Sequence, residues 1–494
     1  MAIISLSELE QYLWKAANIL RGPIDKSDFK SYIVPLLFFK RLSDVYDEQY
    51  SLITSYTEDA NSMLFVEQQQ FVIPTKCHWN DIRKTTKDIG LAIQYAFTEV
   101  EKSNPNTLLG IFGDVVWTNK DRLSDELLHD LIRHFSTKNL SNSNVSPDIL
   151  GQAYEFLIKK FADLSKNKAG EFYTPREVIQ LIIGILKPQE RESIYDPTCG
   201  SGGMLLEAHN YIKNIGRDHR TLKLYGQEKN LTTSSIARIN LFLHSITNFR
   251  IERGDTLRRP AFVENGRLKK FDVVLANPPY SIKKWNREAW ENDVWKRNIY
   301  GTHPQGNADY AFFQHIICSL NPKSGRCAIL WPHGVLFRET EEDMRTKLVE
   351  DDIIDAIIGL GENLFYNSVM ESCIIVCRTS KPMERKGKIL FINGVNEVTK
   401  EKKRSFLSKD NIKNLYELYT SYKNVSGLSY VASLDEIRSK GYSLNVAHYI
   451  QKWIIDDHKR DLDKVIYEWQ NLSHEIKISY NGLIQKINKE IGKT

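Results

Sequence analysis

Between residues 193 and 377 the chain carries six compact runs rich in Val and Ile, at 193–196, 223–227, 271–276, 326–331, 353–359 and 372–377. Runs this short and this apolar throughout are buried on both faces, as strands are inside a parallel sheet. Parallel neighbours need long crossovers, and helical stretches lie between most of the runs. The pattern predicts a doubly wound α/β domain.

The flanks read differently. Over the first 145 residues apolar side chains recur at helical spacing, in Leu9, Leu13, Ala16, Ala17 and Leu20, in Ile33, Leu36, Leu37 and Phe38, and across 123–135, without competing strand alternation. The polar, turn-forming stretch 136–147 then gives way to an amphipathic helix through Leu150, Tyr154, Leu157 and Phe161. A boundary at 145/146 is expected. Beyond about residue 400 the helical pattern returns. Ile455, Leu462, Trp469, Ile476 and Leu483 recur every seven residues, a spacing that resembles a coiled-coil seam and suits a second helix or the chain's own surface. Three units follow: 1–145 helical, 146–400 α/β, 401–494 helical.

Charge and cysteines narrow the classes. Lys and Arg outnumber Asp and Glu by seven after residue 380 and fall two short before it, so the positive excess is C-terminal, compatible with a polyanion and equally with a solvated helical face. Six cysteines in 494 residues, without CxxC, give neither a disulfide framework nor a zinc pattern, and no metal site is expected. No apolar run reaches a membrane span, and Glu8, Glu10 and Lys15 break the opening stretch before a signal-peptide core can form. A reducing cytoplasm is expected. HExxH and GxSxG are absent, which removes metalloprotease and serine-hydrolase readings.

Three features carry chemistry. Asp196-Pro197-Thr198-Cys199-Gly200-Ser201-Gly202-Gly203 joins a strand to a helix, and its glycines let backbone approach a ligand at the helix N-terminus. GxGxxG and a phosphate-loop lysine are both missing, and Asp196 at the strand tip suits a cationic amine better than pyrophosphate. Glu228 and Asp255 end later strands, so their carboxylates should converge on the same crevice, where one can take ribose hydroxyls and another an adenine amine. Together these describe a pocket for an adenosine with an amino-acid tail, S-adenosylmethionine. Asn277-Pro278-Pro279-Tyr280 follows another strand. Two prolines remove N–H donors and leave acceptors, Asn277 adds a side-chain acceptor and Tyr280 a flat ring, a site shaped for a planar amine. A proline turn after a core strand is the plainer reading of the same four residues.

With these motifs in order, behind a helical domain, and with Gly170-Glu171-Phe172-Tyr173-Thr174-Pro175-Arg176-Glu177-Val178 ahead of them, the chain resembles the modification subunits of type I restriction-modification systems, which are DNA adenine-N6 methyltransferases. TyrGlyGlnGlu at 225–228, AlaAspTyrAlaPhe around Asp309 and GlyValLeuPheArg at 334–338 extend the likeness, which spans roughly residues 1 to 395. It departs at 367–372, where Asn-Ser-Val-Met-Glu-Ser stands in place of a Gly-Thr-Gly-Ile-Pro-like run.

The resemblance implies a Rossmann-like methyltransferase domain with a seven-stranded, mixed, mostly parallel sheet. It implies that Glu171, Phe172, Tyr173, Thr174 and Pro175 line the cofactor side, with Asp196, Thr198, Gly200, Ser201, Gly202 and Gly203 at the methionine moiety. Glu228 would hold the ribose, Asp255 the adenine, and Asn277, Pro278, Pro279 and Tyr280 the target base. Implied partners are double-stranded DNA, a separate specificity subunit, a second modification subunit and a restriction subunit with nuclease and translocase activity, and no membrane. Residues 281–307, with Trp285, Trp290, Trp295, Lys283, Lys284, Lys296 and Arg297, suit a loop closing over DNA and suit a local hydrophobic cluster equally well. The alternatives are a protein-glutamine N5 methyltransferase, since the same acceptors fit any planar amine, and a non-catalytic DNA-binding or assembly subunit.

Overall fold

The computed structural model describes residues 4–26, 28–56, 71–164, 174–280, 282–365, 371–401, 404–450 and 469. The helical spacing of the N-terminal stretch produces α1 Leu6–Ile19, α2 Phe29–Tyr56, α3 Trp79–Lys84, α4 Ile89–Ser103 and α5 Asp125–Phe135. Ser5 starts α1 with reciprocal bonds, its hydroxyl accepting from the Glu8 N–H while the Glu8 carboxylate accepts from the Ser5 N–H. The apolar stripes of these helices share one core that includes Leu13, Ile33, Phe39, Ile93, Trp117 and Leu131.

The helix expected after Ser146 is α6, Pro147–Leu164, and it belongs to that same core through Leu150, Ala153, Tyr154, Leu157 and Phe161. α6 thus packs in the N-terminal cluster although it opens the second unit of the sequence reading, and Ile236, Ile239 and Leu243 further along the chain join the same cluster.

Then α7, Arg176–Leu186, leads into the sheet. In chain order come β1 Ser193–Asp196, α8 Gly203–Asn214, β2 Lys223–Glu228, α9 Leu231–Leu243, β3 Phe249–Arg253 and the hairpin β4 Val263–Glu264 with β5 Arg267–Leu268. Next are β6 Val273–Ala276, α10 Arg287–Glu291, α11 Asp309–Ser319, β7 Arg326–Pro332, α12 Glu342–Glu350, β8 Ile354–Leu360 and β9 Ser372–Arg378. β10 Lys388–Gly394, the hairpin β11 Thr399–Glu401 with β12 Arg404–Phe406, α13 Lys409–Ser421, β13 Ser429–Ser433 and α14 Leu434–Ser439 complete it.

Across the sheet the order is β3-β2-β1-β6-β7-β9-β8-β10-β13. All six runs read from the sequence are strands of it. The five from β3 to β7 are mutually parallel, β9 runs antiparallel between β7 and β8, β10 is parallel to β8 and β13 antiparallel to β10. Among the described residues the sheet thus has nine strands where seven were expected. Of the added strands, β13 comes from the region read as a helical tail and β10 from just before it; Leu407, Leu415, Leu418 and Tyr419 cover one sheet face, and Ala432, Ile437, Leu444, Val446, Tyr449 and Ile450 join the core on the other. The α/β unit therefore continues past residue 400 to at least 450. Of the seven-residue stripe only Trp469, which is exposed, is among the described residues, so that seam lies outside them.

Chain direction across the sheet reverses between β1 and β6, with β2 and β3 laid down on one side and β7 on the other. At such a reversal the loops beyond the carboxyl ends splay apart and leave a crevice. The tips of β1 and β6 are Asp196 and the residue before Asn277.

Candidate active site

The turn after β1 is held in shape from below. Cys199 N–H donates to the Gln227 carbonyl, Thr198 N–H to Asp196 Oδ1 at 3.0 Å, and Gly200 N–H to Glu228 Oε2 at 3.1 Å. Gly200 and Gly202 have φ of +53° and +78°, a left-handed backbone that a side chain would strain, and Gly202 caps α8 in that conformation. Gly226, on the neighbouring β2, leaves room for the turn: a Cβ there would stand 2.9 Å from Cys199 Sγ and 2.6 Å from Ile251 Cδ1.

Asp196 is 2% exposed. Burial pushes its carboxyl up to about 7, with Glu228 nearby acting in the same direction and the Thr198 N–H opposing. Among the described residues no Lys or Arg pairs with it. A buried carboxyl in that state is stabilised by an incoming cation. Thr198 Oγ1, in the same turn, is buried without a hydrogen-bond partner among the described residues.

Asn277, at the tip of β6, is fixed at both ends of its amide. Its Nδ2 donates to Thr174 Oγ1 at 2.9 Å and its Oδ1 accepts from Tyr280 Oη–H at 2.7 Å. Burial drives the Tyr280 phenol far upward, so it stays a neutral donor. Its ring lies 6.3 Å from that of Trp331 on β7. An amide carbonyl has two lone pairs, so Asn277 Oδ1 can accept a second hydrogen.

One cleft, open to solvent, is lined by Thr174, Asp196, Thr198, Gly200, Ser201, Gly203 and Asn277 from the sequence reading. Gly202 shapes the turn and Glu228 is bonded into it, its other oxygen accepting from Asn230 N–H at 2.8 Å. Asp255 is engaged locally: Oδ1 accepts from the Leu257 and Arg258 N–H groups and Oδ2 meets Lys229 Nζ at 2.8 Å. Pro175 is buried at the start of α7 and Pro278 beside Asn277. Glu171, Phe172 and Tyr173 lie outside the described residues. A separate groove edged by Lys223, Arg250 and Lys269 opens at the amino end of β2 and β3, away from Asn277.

Sequence reasoning missed Glu155, Arg176 and Glu207, which also line the cleft. One signal existed: Arg176 opens α7, where a helix favours anions, so a cation there has another task. In the segment after Tyr280, the cluster reading holds for its largest groups. Trp290 and Arg297 are each 1% exposed, and Arg297 donates to the Thr256 and Leu257 carbonyls and to both oxygens of Asp293. Lys283, Lys284 and Lys296 remain exposed. Among the described residues no helix is long and apolar enough to cross a membrane.

Residues 145–458 match the N-6 DNA Methylase family and residues 9–135 the HsdM N-terminal domain. The chain is similar to the type I restriction enzyme MjaVIII methylase subunit of Methanocaldococcus jannaschii, 33% identical over 98% of this chain and 85% of that one. It is also similar to the MpnII methylase subunit of Mycoplasma pneumoniae, 31% identical over 92% and 91% of the two chains. A type I restriction-modification methyltransferase subunit from Streptococcus thermophilus superposes with a TM-score of 0.80 at 28% identity, covering 90% of this chain and 99% of that one.

Proposed function

This chain belongs to the N-6 DNA methylase family, as a type I restriction-modification methylase subunit, and from that premise we propose that it moves a methyl group from S-adenosylmethionine to the N6 amine of adenine in double-stranded DNA. The observation that carries the reading is Asn277, an acceptor locked between Thr174 and Tyr280 at the rim of the cleft that holds Asp196.

The cleft suits the cofactor on its own chemistry. Asp196, buried with no Lys or Arg paired to it among the described residues, is matched to the amine of the amino-acid tail, and Thr198 Oγ1 offers a hydroxyl without a partner among them. Glu228 is assigned to the ribose and Asp255 to the adenine, with Thr174 and Pro175 on the cofactor side. Asp255 would exchange the exposed Lys229 for that contact. When bound, S-adenosylmethionine supplies a methyl group on a positively charged sulfur.

Asn277 Oδ1 and the carbonyls beside Pro278 and Pro279 accept the hydrogens of the target amine. Holding both hydrogens turns the nitrogen lone pair out of ring conjugation, so its nucleophilicity rises without a strong base. An adenine inside a duplex cannot reach this rim, so the base must be extruded, and Tyr280 supplies a ring for it to stack on. No described segment is a dedicated base-reading module, so sequence choice is assigned to a separate specificity subunit. A second methylase subunit and a restriction subunit complete the proposed assembly.

The test is Asn277→Ala, assayed for transfer of labelled methyl to DNA adenine with the specificity subunit present. Loss of one such acceptor should lower the rate by about a hundredfold or more, while calorimetry shows unchanged S-adenosylmethionine affinity. Equal loss of cofactor affinity would place Asn277 elsewhere. Label on a protein glutamine with none on DNA would favour the amide-methylating alternative.

A further inference from the structure

Two different cores supply carboxylates to the cleft. Asp196 and Glu207 come from β1 and α8 of the sheet unit, whereas Glu155 stands on α6, a helix of the N-terminal core. Between them lies Arg176, the one Lys or Arg that lines the cleft among the described residues. Its Nε is 2.8 Å from Glu207 Oε1 and its Nη1 3.5 Å from Glu155 Oε2. Both glutamates are mostly buried, and Arg176 is about half exposed. Burial raises both carboxyls, and Glu207 raises Glu155 further, while Arg176 opposes all of this. The guanidinium is what allows the two acids to face each other across the unit boundary.

The approach of α6 is specific. At Gly151 an added Cβ would lie 2.3 Å from Nε2 of His244, just past the end of α9, so the imidazole packs directly against the glycine. Asp148, one turn earlier, pairs with Lys213 of α8. Where Glu155 sits is therefore fixed by docking of the helical unit.

A guanidinium recognises a carboxylate through parallel N–H bonds in one plane, and its orientation matters as much as its charge. Arg176 projects from the first turn of α7 on a long, flexible stem, and its head lines the cleft within ion-pair distance of both glutamates. We propose that Glu155 is a positioning residue for cofactor binding: it reaches in from the helical unit to hold Arg176 where the guanidinium reads the carboxylate of the cofactor's amino-acid tail. This rests on the S-adenosylmethionine reading above. Its consequence is that the cofactor site is complete only with the helical unit docked, and by linkage a bound cofactor tightens that docking.

The test compares two ligands on the full chain by calorimetry: S-adenosylmethionine, and 5′-methylthioadenosine, which keeps the adenosine and lacks the amino-acid tail. Glu155→Gln, which preserves shape, should weaken S-adenosylmethionine about tenfold, and leave 5′-methylthioadenosine within about twofold. Arg176→Gln should show the same split, and the double variant should bind no more weakly than Arg176→Gln alone, since both changes act through one contact. Unchanged S-adenosylmethionine affinity in Glu155→Gln, equal weakening of both ligands, or additive losses in the double variant would each overturn the assignment. A wild-type chain that binds neither ligand removes the cofactor reading itself and this inference with it. Unaltered melting of the variants confirms that affinity, not folding, is being compared.

Discussion

Asp196 at the tip of β1 and Asp309 at the start of α11 are both buried, at 2% and 0% exposure, and they differ in the company of a cation. Asp309 accepts from Arg338 Nη2 at 2.9 Å, and the same guanidinium donates through Nη1 to Glu341 at 2.6 Å. Glu341 also meets His303 Nε2 and Asn307 Nδ2, each at 3.0 Å. This hub ties the loop before α11 to the turn after β7, with its contacts to Glu341 all made through Oε1. Asp196 has the Thr198 N–H and a neighbouring acid, and its charge awaits a counter-ion. Buried charge by itself thus marks neither a site nor a strut. What separates them is whether the fold completes the charge or leaves that to a ligand.

The largest expected effect lies in the hub. Arg338→Met removes one cation from two buried carboxylates, and breaking such a pair costs about 3–5 kcal/mol, read as a drop in unfolding free energy by chemical denaturation. A loss below about 1 kcal/mol would put the network in the class of exposed ion pairs and erase the contrast with the cleft.

At Asp196 the expected sign is the reverse. Its carboxyl titrates near 3.8 when unfolded and near 7 when folded, so between those values the folded chain binds more protons than the unfolded one. Stability from this group is therefore highest below about pH 4, falls as pH rises towards 7, and is level above that. Asp196→Asn should remove the slope, making the variant more stable than wild type at pH 8. The same change should weaken S-adenosylmethionine by about 1.5–3 kcal/mol. A variant less stable than wild type at pH 8, with unaltered cofactor affinity, would reassign Asp196 to structure.

The cleft was more legible in the sequence than its surroundings, for a local reason. Asp196, the glycine turn and Asn277 each follow an apolar run directly, so a strand tip fixes them whatever the rest of the chain does. Arg297 was not legible. Two of its acceptors are carbonyls 40 and 41 residues earlier, and its composition is the same whether it faces a phosphate or lies under Trp290. Direction was hidden too: β9 is as apolar as β7, and only its register, Cys327 opposite Cys377, shows that it runs the other way. β10 went unread although 389–392 is an apolar run like the others, and β13 fell in the region after 400 that a seven-residue repeat further on drew towards a helical reading. Glu155 was invisible because its partner lies across a boundary between cores.

The smallest expected effect bears on why Asp196 holds its proton. Burial is the largest cause of its raised pKa, and the nearby Glu228 carboxylate adds to it. Glu228 also accepts from the Gly200 and Asn230 N–H groups, so Glu228→Gln keeps one acceptor oxygen, presents an NH₂ to the other partner, and removes the charge. Losing one charge-assisted bond should cost about 1 kcal/mol of stability. Cofactor affinity measured against pH in this variant should show its rising limb at lower pH than wild type, because the like charge that hindered ionisation of Asp196 is gone. Since burial remains, the limb should stay well above the ordinary carboxylate range. A limb that falls to that range would make Glu228 the dominant cause, and one that does not move would mean that Asp196 and Glu228 do not share the cleft.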